Sequence, residues 1–259
     1  MKKNTLITLI VFVIFSLLLA ACQSAANGGA PSEPEAPAQE PAQPEPAATP
    51  VAPEEPGADM PADVMFDPAM GVNADTIGLV YEHLLKVQDG ALVPALALAG
   101  TVSDDGLDYI ITLRPGVTFH NGALLNADAV IANFDRWYDP ANVIGAWAVD
   151  FGGFRGETDA DGKPKSIYDG IEKVDELTVL IHLNEPDAEF LNKLAHPTFA
   201  IVSPDALAAP GFGTAAGIDG GTGPYMISAW SDTGLTLDPY ADYWNPNAVP
   251  EASTDVTFK

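Results

Sequence analysis

From about Val64 onwards, apolar residues recur at spacings that predict a mixture of helices and strands. Between Ala74 and Lys86 the apolar side chains follow helical spacing, so this stretch is predicted to form an amphipathic helix. A second helix is predicted after Asn126, whose side chain can cap it, and Asp128 lies in its first turn, where the helix dipole favours an anion. The buried stripe of this second helix is expected to comprise Val130, Ile131, Phe134 and Trp137.

Shorter runs of β-forming residues, separated by turn residues, predict strands. The predicted strands are Leu107–Arg114, a short extended piece at Val117–Phe119, two runs within Gly170–Leu183 joined at Asp175-Glu176, the pair Tyr225–Trp230 and Gly234–Leu237, and Thr254–Phe258. Short helices are predicted at Glu189–Leu194 and Pro204–Ala209. Because the elements do not alternate strictly as strand–helix–strand, the predicted fold class is mixed α/β, of the α+β kind.

Residues 1–21 have the pattern of a secretory signal peptide. Lys2 and Lys3 give a basic start, Leu6–Leu19 is almost entirely apolar, and small residues follow. The apolar run is shorter than the roughly 20 residues that a membrane-spanning helix needs, and a short membrane anchor is the alternative. The segment Leu19-Ala20-Ala21-Cys22 resembles the bacterial lipobox, and this resemblance implies cleavage before Cys22 and lipidation of that residue.

Residues 22–63 are dominated by Pro, Ala, Glu and Gln and carry almost no large apolar side chain. Such a composition cannot bury enough surface to offset the entropy of ordering the chain. Frequent proline and like charges favour an extended conformation. We therefore interpret residues 22–63 as a disordered tether and residues 64–259 as the folded domain.

The charge balance argues against one class of partner. The chain of 259 residues carries 11 Lys and Arg against 36 Asp and Glu, a net charge of −25. Because nucleic acid is a dense polyanion, an acidic surface repels it, and no nucleic-acid partner is expected. Cys22 is the single cysteine of the sequence, which excludes an internal disulfide.

Three glycine-containing stretches superficially resemble ligand-binding loops. Gly211–Gly217 has the glycines of a dinucleotide-binding loop, but their spacing is one residue too long, and Pro210 rather than a strand precedes them. Gly220–Pro224 lacks the Lys-Ser/Thr pair of a phosphate-binding loop. Glu157–Gly162 lacks the closing glutamate of a calcium loop, since Tyr168 occupies that position. None of the three is therefore predicted to bind a cofactor or metal.

The histidines give no sign of a catalytic or metal site. They do not have the spacing of a helical metal motif, and no cysteine can join them. All are expected at the surface or at strand edges, and the Asn121-Gly122 turn accounts for the one that precedes it. The four are His83, His120, His182 and His196. No catalytic residue, metal ligand or cofactor is predicted, which favours a binding protein over an enzyme by elimination.

Several stretches, taken together, resemble the solute-binding proteins of dipeptide, oligopeptide and nickel ABC transporters, the bacterial extracellular solute-binding family 5. Phe66–Ala69, here called the Asp-Pro segment, looks like the family's Leu-Asp-Pro motif, and Val80–Arg136 looks like its longest signature. Gly170–Leu207, Gly221–Trp230 and Tyr240–Pro246 are similar to the blocks that follow. The resemblance covers the whole predicted folded domain.

The resemblance implies a periplasmic-binding-protein-like fold of type II, with one lobe and an accessory subdomain at about residues 80–207. Members of the family close two lobes over a ligand and run to about twice this folded length. The resemblance therefore implies that the second lobe is missing and that the chain is truncated. We expect the single lobe to bind peptides weakly or not at all, because half of the ligand burial is absent.

The resemblance also implies a function. A protein of this kind captures peptides, or another solute such as a nickel complex, outside the cytoplasmic membrane and delivers them to an ABC permease. Lipid on Cys22 would anchor it to the outer face of that membrane, in the cell envelope, and a monomer is expected. Two alternatives stay open, a single-lobe surface lipoprotein for adhesion or signalling and an enzyme such as a hydrolase. The candidate ligand contacts are Ala69, Met70 and Asn73 in the loop Ala69–Asn73, with Tyr138 and Trp147 as aromatic surfaces.

Overall fold

The computed structural model describes residues 66–70, 74–138, 151–217 and 219–258. Within these ranges the chain forms short helices and antiparallel strands that follow one another without βαβ units. The α-helices are α1 (Ala74–Val80), α2 (Ala127–Tyr138), α3 (Phe190–Lys193) and α4 (Pro204–Ala208). The strands are β1 (Leu85–Gln88), β2 (Ala91–Pro94), β3 (Ala97–Val102), β4 (Asp108–Leu113), β5 (Tyr168–Asp175), β6 (Thr178–Leu183), β7 (Tyr225–Ser231), β8 (Gly234–Pro239) and β9 (Thr254–Thr257). Single turns of 3-10 helix lie at Pro68–Met70, Pro197–Phe199 and Pro246–Ala248.

The strands form three antiparallel sheets among the described residues. β1 and β2 make a hairpin, β3-β4-β6-β5 is a four-stranded sheet, and β7-β8-β9 is a three-stranded sheet. Burial alternates along β4, where Tyr109, Ile111 and Leu113 face inwards and Ile110 faces solvent. This period of two is that of a sheet covered on one face, and α2 supplies part of the cover.

Buried apolar side chains divide into two hydrophobic cores. The first core lies between the four-stranded sheet and α2 and includes Ile111, Phe134 and Phe199. The second core lies against the three-stranded sheet and includes Tyr81 and Leu237. The predicted accessory subdomain at about residues 80–207 overlaps the first core, and its boundaries stay a prediction.

The predicted second helix is confirmed in its cap and in its buried face. The Oδ1 atom of Asn126 accepts a hydrogen bond from the backbone N–H of Ala129 at 2.9 Å, which satisfies one of the unpaired donors of the first turn. Val130, Phe134 and Trp137 are buried and Ile131 is half-buried. The predicted strands at Leu107–Arg114, Gly170–Leu183, Tyr225–Leu237 and Thr254–Phe258 are confirmed to within a few residues.

The predicted helix Ala74–Lys86 is wrong in its second half, because α1 ends at Val80 and β1 begins at Leu85. From Val80 onwards, backbone groups form hydrogen bonds with distant segments instead of continuing the helix. The carbonyl of Val80 accepts from the N–H of Gly223 at 2.8 Å, and Glu82 forms a β-bridge with Ile201. Beyond α1, Tyr81, Leu84 and Leu85 are nevertheless buried, but outside a helix.

None of the helices in the described ranges has the length and apolar character needed to cross a membrane. The predicted signal peptide (1–21), the predicted tether (22–63) and the predicted lipidation site Cys22 lie outside the described residues.

Candidate functional site

A cavity of about 370 Å³ opens beside the 3-10 turn Pro197–Phe199. This volume lies within the range of roughly 300–1,000 Å³ that small-molecule sites occupy. A second cavity, against the Asp-Pro segment, has about 10 Å³ of space, which is room for one water molecule. The larger cavity, here called the His196 pocket, is therefore the solute-sized candidate. Its described lining comprises Glu189, Asn192, Lys193, His196 and Phe199.

The helix α3 supplies the polar wall of the His196 pocket. Phe190 is fully buried in the first core, with its ring 4.9 Å from that of Tyr109, and this contact anchors the helix. Glu189, Asn192 and Lys193 are spaced three and four residues apart, so they share one side of the helical turn. The anchored phenylalanine thereby holds three polar side chains towards the cavity.

The 3-10 turn Pro197–Phe199 supplies the other wall. His196 caps the turn, since its Nδ1 atom lies 3.4 Å from the backbone N of Thr198 and accepts that N–H. The ring of Phe199 packs edge-on against Trp137 at 5.0 Å and Phe151 at 5.7 Å. The apolar floor of the pocket is therefore continuous with the first core.

Both charge signs are present on the polar wall. Lys193 Nζ lies 2.7 Å from a carboxylate oxygen of Asp187 and 5.3 Å from the ring centroid of Phe151. Asn192 donates to Glu189 Oε2 at 2.8 Å. An ammonium, a carboxylate, an amide and an imidazole thus surround one cavity. Such a set of groups can hydrogen-bond both charged ends of a small zwitterion.

His83 lies behind this wall, and its expected place at the surface or a strand edge is wrong. Its ring donates to the carbonyl of Pro197, and its Nε2 atom is shielded from solvent with no partner among the described residues. Burial lowers the pKa of His83 to about 4, and the nearby His196 also lowers it. The His83 ring is therefore neutral at neutral pH, so it adds no charge behind the pocket.

The Asp-Pro segment is fixed next to the His196 pocket, because the turn Pro68–Met70 packs against the turn Pro197–Phe199. Asp67 Oδ1 accepts from the backbone N–H of Ala69 at 3.0 Å. Both carboxylate oxygens of Asp67 also pair with the guanidinium of Arg136, one of them at 3.2 Å. This bidentate ion pair ties the Asp-Pro segment to α2 and holds Met70 at the surface, where it is 54% exposed.

Of the five predicted ligand contacts, one is exposed, two are buried and two lie outside the described residues. Met70 is exposed, whereas Ala69 and Tyr138 are buried, and the ring of Tyr138 stacks on Tyr168 at 4.1 Å. Asn73 and Trp147 lie outside the described residues. Ligand contact stays a prediction for all five. The residues of the His196 pocket were not among the predicted ligand contacts, although the polar spacing at 189, 192 and 193 was a signal for a one-sided polar turn.

Within the described ranges, no group of three or more His, Cys, Asp or Glu side chains converges in a way that would hold a metal ion.

Known proteins match most of the described chain. The sequence profile of "Bacterial extracellular solute-binding proteins, family 5 Middle" matches residues 91–259. The glutathione-binding protein GsiB of Salmonella typhimurium (strain LT2) is 41% identical over 154 residues, which is 58% of this chain and 26% of GsiB. The chain therefore spans about a quarter of the length of the curated relatives it matches.

Solved structures give the same result for the fold. The periplasmic binding protein DppA of Helicobacter pylori, in complex with the peptide STSA, matches with a TM-score of 0.61 and 27% identity, over 74% of this chain and 40% of DppA. NikA of Brucella suis, in complex with Fe(III)-EDTA, matches with a TM-score of 0.58 and 26% identity, over 75% of this chain and 37% of NikA. The expected mixed α/β fold of the type II periplasmic binding proteins is confirmed.

Proposed function

Because the chain belongs to the bacterial extracellular solute-binding proteins of family 5, we propose that it captures a small solute outside the cytoplasmic membrane for an ABC importer. The observation that carries this proposal is the match over residues 91–259, which spans most of both hydrophobic cores and the His196 pocket. The family is a transport class rather than an enzyme class.

The proposed solute is a short peptide. A peptide is a zwitterion in extended form, and the His196 pocket offers Glu189 for its ammonium end and Lys193 for its carboxylate end. The apolar floor at Phe199 suits a peptide side chain. Two relatives point the same way, since GsiB is named as a glutathione-binding protein and DppA was solved with the peptide STSA. A nickel complex is the alternative cargo, because the matched structures include a nickel ABC transporter protein from Bacillus halodurans.

The proposed mechanism is capture followed by docking on a permease. Solute binds between two lobes, hinge closure buries it, and the closed form delivers it to the membrane complex. In this scheme the described residues supply one wall of the site. The ion pair between Asp67 and Arg136 keeps that wall rigid, so that closure does not have to order the Asp-Pro segment.

The proposal includes anchoring through Cys22. Lipid on this residue would hold the protein on the outer face of the membrane, and residues 23–63 would act as a spacer between the membrane and the folded domain. Tethering raises the local concentration of the binding protein near its permease. The protein is proposed to act as a monomer in the cell envelope.

Deletion of the coding gene tests the proposed function. The deletion strain and a strain complemented with the wild-type gene are compared for uptake of labelled dipeptides, tripeptides, glutathione and nickel. We expect peptide uptake to fall in the deletion strain and to return on complementation. Loss of nickel uptake alone would reassign the cargo. Unchanged uptake of every solute would overturn the transport function and favour a role in adhesion or signalling.

A further inference from the structure

The charged groups of the His196 pocket do not cancel. Its described lining contains one carboxylate, that of Glu189, and one ammonium group, that of Lys193. Lys193 Nζ already has a partner, because it lies 2.7 Å from Asp187 Oδ2, although its remaining N–H groups can still donate to a solute. Asp187 Oδ1 accepts the backbone N–H of Glu189 at 3.0 Å, so both oxygens of that carboxylate are in use. The pair of Lys193 and Asp187 therefore adds no net charge to the pocket.

The carboxylate of Glu189 is the group left over. Glu189 is exposed, whereas the side chains of Lys193 and Asp187 are 32% and 12% exposed. Glu189 Oε2 accepts from the amide of Asn192 at 2.8 Å, which restrains the carboxylate beside the cavity. Its other oxygen, Oε1, is available to accept a hydrogen bond from a solute.

The imidazole rings next to the pocket add no positive charge to it. His196 Nδ1 accepts the backbone N–H of Thr198, and a nitrogen that accepts a hydrogen bond carries no proton, so this ring is neutral. Burial lowers the pKa of His83 to about 4, so that ring is neutral at neutral pH as well. The described groups at the pocket therefore sum to one negative charge, that of Glu189.

The other two histidines do not line the cavity. The side chain of His120 has no exposure to solvent, and its Nδ1 atom lies 2.9 Å from Asp219 Oδ1, so the expectation that it lies at the surface or at a strand edge is wrong. His182 lies on β6, where its Nδ1 atom is 2.7 Å from Asp108 Oδ1. Each of these rings faces its own aspartate, and neither changes the charge at the pocket.

We propose that the His196 pocket selects peptides with a basic side chain over peptides with an acidic one. This inference rests on the proposed function, because it takes a short peptide as the solute, and it adds the class of peptide. The main-chain ends of every dipeptide form the same zwitterion, so the side chains decide the net charge of the solute. A basic side chain cancels the negative charge of the pocket, whereas an acidic side chain doubles it.

The exposure of Glu189 limits the size of the preference. An exposed ion pair changes affinity by up to about fivefold, so a lysine side chain should bind roughly tenfold more tightly than an aspartate side chain. The net charge of −25 also attracts cations to the whole surface. A test of the pocket therefore needs a control that removes one negative charge elsewhere.

NMR titration of labelled residues 22–259 tests the preference with three dipeptides, lysyl-alanine, dialanine and aspartyl-alanine. We expect all three to shift the pocket residues, with the dissociation constant lowest for lysyl-alanine and highest for aspartyl-alanine. In Glu189→Gln the ratio of the two extreme dissociation constants should fall from about tenfold to about twofold. The matched control is Glu251→Gln, because Glu251 is exposed and does not line the pocket, so the ratio should stay as in the wild type.

Each outcome decides a different point. The expected order of the dipeptides, with a ratio that falls in Glu189→Gln but not in Glu251→Gln, supports the inference. Equal dissociation constants at the pocket overturn the charge preference and leave the peptide site in place. The same ratio in Glu189→Gln as in the wild type also overturns it, because the preference would then belong to the surface as a whole. Pocket shifts with none of the three dipeptides overturn the peptide site itself, and the inference with it.

Discussion

Removing the guanidinium of Arg136 should leave the carboxylate of Asp67 buried and unpaired and destabilise the folded state by several kilocalories per mole, and Arg136→Gln tests this. The side chains of Arg136 and Asp67 are 12% and 2% exposed, so the carboxylate is left without solvent when the guanidinium is removed. Breaking a buried pair by removing one partner typically costs about 3–5 kcal/mol. Glutamine can restore one hydrogen bond, worth about 1 kcal/mol, which moves the expected loss to the lower end.

We therefore expect Arg136→Gln to lower the free energy of unfolding by about 3 kcal/mol, or roughly a hundredfold in the unfolding equilibrium constant. Denaturant unfolding followed by circular dichroism and tryptophan fluorescence measures this loss. The control is Arg155→Gln, which breaks an exposed pair with Asp135 at 3.5 Å, where the two side chains are 43% and 47% exposed. That change should cost no more than about 1 kcal/mol.

A double-mutant cycle sharpens the test. Once Asp67→Asn has removed the carboxylate, Arg136→Gln should cost clearly less than it does in the wild type, because the two residues are coupled. A cost of Arg136→Gln no larger than that of Arg155→Gln would show that the change does not leave a costly unpaired carboxylate at Asp67. Additive costs in the cycle would refute the coupling, since they would mean that the two side chains act independently.

Three further predictions concern Gly221, the carboxylate of Glu82 and the predicted lipid anchor at Cys22. Gly221→Ala should destabilise the fold by about 3 kcal/mol because its Cβ meets the backbone of Val80, whereas Gly170→Ala, with open space around it, should be neutral or slightly stabilising, and unfolding curves compare the two. Burial raises the pKa of Glu82, so between its unfolded and folded pKa values the folded chain holds a proton that the unfolded chain has lost. The wild type should therefore lose stability relative to Glu82→Gln as the pH rises above about 4.3, the pKa of glutamate in an unfolded chain. A flat difference over that range would contradict this sign. Cys22→Ser should abolish incorporation of labelled palmitate, and incorporation that persists in this variant would exclude Cys22 as the lipidated residue.

Local elements could be predicted because their causes lie within a few residues. Asn126 caps α2 through a side chain that sits next to the helix in sequence, and the stripe of α2 follows from helical spacing. The hairpin of β5 and β6 follows from two β-forming runs and one turn. Each of these predictions needed only the sequence of one segment.

The wrong predictions have a different cause, which is contact between segments that are distant in sequence. α1 ends at Val80 because Gly223 donates to its carbonyl, and no local signal marks that stop. His120 looked like a turn residue because its partner Asp219 lies 99 positions later. The burial of His83 likewise depends on the turn that begins at Pro197. Sequence periodicity contains no information on such pairings.

The residues that line the His196 pocket were not among the predicted ligand contacts, and ligand contact at Met70 stays a prediction. Met70 was predicted from its position next to the Asp-Pro segment, and it is exposed beside the turn Pro197–Phe199. The pocket itself forms between α3 and the turn Pro197–Phe199. The turn Pro68–Met70 packs beside it only in the folded chain. The short stretch Glu189–Leu194 was predicted as a helical turn, but its polar side chains acquire a function only once Phe190 anchors them over a cavity.

If the His196 pocket supplies one wall for a captured peptide, NMR chemical-shift mapping of residues 22–259 should place bound peptide there. Dialanine, trialanine and glutathione are titrated into the labelled wild type, into Lys193→Gln, and into Lys163→Gln as a control on an exposed turn. We predict millimolar binding, with shifts confined to the pocket residues and the turn Pro68–Met70, that weakens in Lys193→Gln and persists in Lys163→Gln. Shifts centred away from the pocket, or binding that is unchanged in Lys193→Gln, would exclude the His196 pocket as the peptide wall, and micromolar affinity would contradict the expected weak binding of one wall.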